Sequence, residues 1–126
     1  MAGRTVSQVN ISIPNNVWWM DAFQFGVVGD TSWSFAHKHF LCDLKADPTQ
    51  TAADMALSSI ASPQTIIVVD EIARILQFEV TDMALRAALV VQPYSYDLVM
   101  VDDTTDERDL LMIGTITVTQ GITIED

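Results

Sequence analysis

Two histidines, His37 and His39, stand two apart in the run AHKH, so on an extended strand both imidazoles face one way. A pair of imidazoles on one face can begin a metal site. A tetrahedral zinc site needs more ligands than that, and no third histidine or cysteine group completes it. The segment 102–109, DDTTDERD, collects carboxylates of the kind calcium takes, yet it lacks the loop glycine and the ligand spacing of a calcium hand. Its composition is that of a solvated hairpin tip. Paired carboxylates for hydrolysis can be drawn from Asp21, Glu79 and Asp97, but any acidic chain offers such pairs. Cys42 and several serines are potential nucleophiles, with no nucleophile-elbow sequence and no oriented histidine to activate them. The expectation from these residues is a protein that is not an enzyme, with no catalytic residue, metal or cofactor.

The stronger signal is aromatic. Val17, Trp18, Trp19 and Met20 are consecutive, and adjacent tryptophans on a strand point to opposite faces. A one-sided core accepts one of them, and the other needs a different partner. Interfaces favour tryptophan, so residues Val17, Trp18, Trp19 and Met20 are the expected interface. A neighbouring subunit is the first expected occupant; a sugar, or burial of both rings within the chain, is the alternative.

The elements that must position these residues follow from hydrophobic period. In 93–101 Tyr94, Tyr96, Leu98 and Met100 share one parity, and later Ile116 and Val118 alternate with Thr115, Thr117 and Thr119. These are two strands of a hairpin around the acidic segment, with Gly114 marking a bulge or a close backbone approach. Residues 6–13 alternate as a short first strand and Pro14-Asn15-Asn16 ends it. In 17–25 Val17, Trp19, Asp21, Phe23 and Phe25 share a face, and glycines 26 and 29 bracket a turn. Further strands are expected over 32–35, 40–46, 55–57, 65–69 (TIIVV, a β-branched run of buried-strand type) and 73–80. Residues 81–89 prefer a short helix, with Thr81 or Asp82 as its N-cap. Short strands with turns at this spacing predict an all-β fold, an antiparallel sandwich of seven to eight strands with one short helical turn.

With 126 residues the chain is expected to be a single domain able to bury a core without staples. A lone cysteine excludes an intrachain disulfide. Seventeen acidic residues against six basic ones give a net charge of −11, which repels phosphate backbones and anionic membranes. Nucleic-acid binding and membrane insertion are therefore not expected. The opening decapeptide has no apolar leader segment, so a cytoplasm is the expected place of assembly.

The order of several short motifs resembles a family of small bacteriophage virion proteins, immunoglobulin-like β-sandwiches of tail-fibre collars, baseplates and fibre-attachment parts. The motifs are GDTSWSF at 29–35, the TIIVV–turn–ARILQFEV hairpin at 65–80, Tyr94-x-Tyr96-Asp97-Leu98, and Leu110-Leu111-Met112-x-Gly114-x-Ile116-x-Val118 closing on Gly121-Ile122-Thr123. The resemblance spans roughly residues 25–123; Ala36-His37-Lys38-His39 and the tryptophan-rich 17–20 depart from it. It implies an immunoglobulin-like fold and a structural part of the virion, assembled in the host cytoplasm as a homo-oligomer in contact with other virion proteins. Capsid decoration or a carbohydrate-binding receptor module are the alternatives. Residues 1–20 are expected to form an arm that serves the oligomer more than the chain's own core.

Overall fold

The structure, a computed structural model, describes residues 6–27 and 29–123. Residues 1–5 of the expected arm and Val28 of the expected glycine turn lie outside the described residues. The described residues are all-β with one short helix. Its elements in order are β1 (Ser7–Gln8), β2 (Ile11–Pro14), β3 (Trp19–Gln24), β4 (Lys38–Lys45), β5 (Met55–Ser58), β6 (Ile66–Asp70), β7 (Ile75–Val80), α1 (Asp82–Ala88), β8 (Pro93–Asp102) and β9 (Arg108–Thr119). One sheet runs β1-β9-β8-β4-β5, with β2 also on β9; the other runs β3-β7-β6. Their inner faces share one core, in which Trp19 stacks on Phe78 at 4.9 Å between ring centroids.

The hairpin β8–β9 carries its apolar parity inward as expected, with Tyr94, Tyr96, Leu98 and Met100 all buried. Its acidic tip is shorter than DDTTDERD, because Asp102 and Arg108 already belong to strands. Leu98 pairs with Met112 and Val99 with Leu110, so Leu111 is the extra residue of a bulge. The bulge lets Leu111 and Met112 both be buried in succession. Gly114 marks the close approach instead: a Cβ there would strike the carbonyl of Val9.

Several expectations need correction. The sandwich is not wholly antiparallel, since β1 and β2 both lie parallel to β9. The described strands number nine rather than seven or eight. The arm accordingly belongs to the chain's own core: Ile13 is buried, and Val9 and Ile11 pack against the cluster. Period-2 alternation reveals a strand but not its partner, which is why the sequence left this one unpaired.

Residues 32–35 form no strand. Their backbone groups are taken by other partners: Ser32 N–H donates to Asp30 Oδ1, Phe35 N–H to the Glu71 carbonyl, and the Trp33 carbonyl accepts from Arg74. The run TIIVV is an edge strand rather than a central one, with Ile66 buried and Val69 half-exposed at an irregularity in the β6–β7 ladder. β-Branched composition does not distinguish edge from centre.

Helix α1 begins where expected. Thr81 is the N-cap, its hydroxyl accepting from Ala84 N–H, and Asp82 and Arg86 form an i,i+4 ion pair at 3.1 Å. Leu85 plugs its inner side into the core. Just beyond, the Tyr94 hydroxyl accepts from Val90 N–H at 2.8 Å and faces the Val90 carbonyl, fixing the corner between helix and hairpin.

Candidate functional site

The β4–β8 register sets Asp43 directly opposite Asp97. Both side chains alternate outward from buried Cys42, Leu44, Tyr96 and Leu98, so two carboxylates stand side by side on the exposed face of the large sheet. Like charges in this position are destabilising. Loss of hydration among the strands, then the neighbouring Asp43, raises the pKa of Asp97 above the ordinary carboxylate value; Lys45 opposes the shift. Shallow depressions flank the pair, one of about 300 Å³ toward Lys45 and Ser95 and one of about 280 Å³ toward Arg108. A metal would need further ligands, and no group of three or more His, Cys, Asp or Glu that could hold a metal occurs among the described residues.

The other carboxylates considered for hydrolysis are not brought to this pair. Asp21 lies on the inner parity of β3 and accepts from the indole N–H of Trp19 at 2.7 Å. Glu79 lies opposite Met20 on the small sheet. Cys42 is buried in β4, and burial pushes its thiol well above the usual range, which leaves little thiolate.

His37 adopts a left-handed backbone, φ 59°, in the turn before β4, whereas His39 lies in the strand. The strand argument for two imidazoles on one face therefore fails. His39 Nδ1 pairs with Asp103 Oδ1 at 2.6 Å. In the acidic tip, Asp102 is fully engaged: Oδ1 accepts from the N–H groups of Thr104 and Thr105, and Oδ2 from Lys38 Nζ at 2.6 Å. These bonds, with the Lys38 contact foremost, hold its pKa well below the ordinary value. The carboxylate closes a turn.

Of the four residues expected at an interface, Trp19 belongs to the core, 2% exposed. Val17, Trp18 and Met20 are 46%, 53% and 54% exposed. The turn 15–18 and the first residues of β3 hold them outward, and the register places Met20 on the outer side of the small sheet, beside Glu79.

Arg74 is a structural residue that reading the sequence missed. It is 1% exposed and in a left-handed conformation, φ 61°. Its guanidinium donates to the carbonyl oxygens of Phe25, Val27, Asp30, Trp33 and Ile72, and lies 5.0 Å from the Trp33 ring centroid. One side chain thereby ties together carbonyl groups of residues 25, 27, 30 and 33 in the β3–β4 connection. Arginine suits this role because its fork of donors is fixed and always charged. A lone arginine next to a turn would have been the only signal.

No protein-family model matches the sequence, and no curated protein matches it significantly.

Proposed function

We propose that this protein is a non-enzymatic structural component of a bacteriophage particle, of the tail, neck or baseplate, acting through oligomeric protein–protein contacts. The observation that carries the reading is the outward presentation of Val17, Trp18 and Met20 by a rigid sandwich whose own core takes only Trp19. Half-exposed large apolar groups held in fixed positions are what an interface uses as anchors.

The connectivity supports an immunoglobulin-like frame. In such sandwiches strands B, E and D share one sheet and C, F and G the other, with a tyrosine near the start of F bonding back to upstream backbone. Taking β3, β4, β6, β7, β8 and β9 as B, C, D, E, F and G reproduces both sheets, and β5 is an added strand beside C. Tyr94 then occupies the tyrosine corner. The motif order that resembles the virion proteins falls on this frame from 29 to 123.

Peptides of this chain are expected in gradient-purified particles of the phage whose genome encodes it, at the copy number of a tail ring. Copies in the number of capsid subunits would instead indicate head decoration, and absence from the particle would overturn the virion reading. A glycan array decides the receptor alternative: binding abolished by Trp18→Ala would favour it over a subunit contact.

A further inference from the structure

A sheet that does not close on itself ends in strands whose outer backbone groups lack a neighbour, and such an edge invites a strand from another chain. Among the described residues the two sheets have four such edges. Three of them are visibly interrupted or covered. β5 has four residues, and Thr65 lies against its outer side: Thr65 N–H donates to the Ser58 carbonyl at 3.1 Å, and Thr65 Oγ1 accepts from Ser58 N–H at 2.9 Å. β6 carries the irregularity between Val68 and Asp70. The edge formed by β1 and β2 is broken at residues 9 and 10 and ends on Pro14, which has no N–H to give.

The fourth edge, β3, is different. Its six residues pair without a break to β7 and to no other described strand. Glu79 N–H turns toward β6, where it donates to the Thr65 carbonyl at 2.9 Å. Bonding alternates along an antiparallel ladder, so Met20, opposite Glu79, and then Ala22 and Gln24 aim their backbone groups outward. Their side chains are uncharged, and no bulge or proline interrupts the run. The one charge on the strand is Asp21, which shares the inner parity with Trp19 and Phe23. Asp21 is half-buried, stands in register with buried Phe78, and takes the indole N–H of Trp19 on Oδ2 at 2.7 Å. That bond holds the carboxylate on the inner side of the edge.

We propose that Asp21 guards the open edge of β3 against the addition of a strand from another chain. The inference stands or falls independently of the virion reading. A strand laid beside β3 would set its own inward side chains about 4.5–5.5 Å from Asp21, Cβ to Cβ, and strip water from the carboxylate. A charge desolvated without a new partner opposes that addition, and an inward-pointing charge is one of the devices by which natural sheets blunt an edge. The indole bond strengthens the device, because the carboxylate cannot swing out to solvent without breaking it. Each of the four edges then carries its own obstacle, and the longest unbroken one relies on a single side chain.

Sedimentation velocity and amide hydrogen exchange on the full chain, over a concentration series, test this with Asp21→Val and Asp21→Asn. The asparagine keeps an acceptor for the indole, so it separates loss of the charge from loss of that bond. Glu79→Gln is the control, removing one charge from the outer face beside the same edge. Whatever species the wild type forms, Asp21→Val should form larger ones at concentrations tenfold or more lower, Asp21→Asn should lie between, and Glu79→Gln should match the wild type. The larger species should newly protect the amides of Met20, Ala22 and Gln24, and association of either variant with that protection supports the guard. Two variants that sediment as the wild type does overturn it. Larger species without protection at those amides, or formed equally by Glu79→Gln, overturn it as well. If Asp21→Val fails to fold, Asp21→Asn decides: wild-type behaviour there would make Asp21 only the acceptor for Trp19 and overturn the proposal.

Discussion

The Tyr96 hydroxyl donates to the carbonyl oxygen of Val9 at 2.6 Å, joining residues 87 positions apart. It fastens the first described strands to the sheet from the side of the core, where Gly114 leaves room for the same carbonyl. Tyr96→Phe should cost about 1–3 kcal/mol by leaving that carbonyl without its partner. Gly114→Ala should cost a similar ~1–3 kcal/mol by driving a methyl group into it. Denaturant unfolding of the two variants and their combination should give less than additive losses, because both act on one contact.

Arg74→Met should lower stability by roughly 3–5 kcal/mol, the range for removing one side of a buried charged network. Arg74→Lys should recover little of it, since an ammonium cannot reach carbonyls spread around a planar fork. Hydrogen exchange should localise the damage to 25–35, sparing the β8–β9 hairpin.

Leu98 is fully buried and Thr117 is half-buried on the outward parity of β9. Leu98→Ala should cost about 2–5 kcal/mol and Thr117→Ala less than about 1 kcal/mol. Thermal melts that reversed this ranking would contradict the assigned faces.

Among the perturbed aspartates, Asp97 and Asp102 should respond to pH in opposite senses. The folded state raises the pKa of Asp97, so its favourable contribution is complete below the unfolded pKa and is lost as pH rises through the folded value. Asp97→Asn should therefore stabilise the protein at neutral pH, with the gain shrinking as the solution is acidified. For Asp102 the folded pKa is lowered, so its contribution is present above the unfolded pKa and lost as pH falls toward the folded value. Asp102→Asn should be destabilising at neutral pH, and the difference should close in acid. Urea titrations at several pH values check both signs.

Local chemistry made part of this molecule legible in advance. The alternation in 94–100 identified the buried face of β8, Thr81 announced the start of α1, and the Trp18–Trp19 adjacency favoured one ring in and one ring out. What sequence could not supply was pairing. Asp43 faces Asp97 only because β4 meets β8 in one register, and period-2 patterns carry no register between strands. Arg74 escaped notice for a related reason: its carbonyl partners from 25 to 33 become neighbours only once the loop has folded. Val17, Trp18 and Met20 stood out in the sequence as candidates for outward display, while the exposure of Met83, Val90 and Ile122 follows only from the fold.

The parallel seam between β2 and β9 also orders events in time. Asn10 Oδ1 accepts from Thr115 N–H, a separation of 105 residues, so nothing can hold β2 in the sheet until β9 has left the ribosome. During synthesis the early strands wait with unpaired backbone and exposed Ile11 and Ile13 while the hairpins between them form from nearer contacts. The seam cannot form before β9 has emerged, and a chain stalled before β9 would leave β2 without its partner strand.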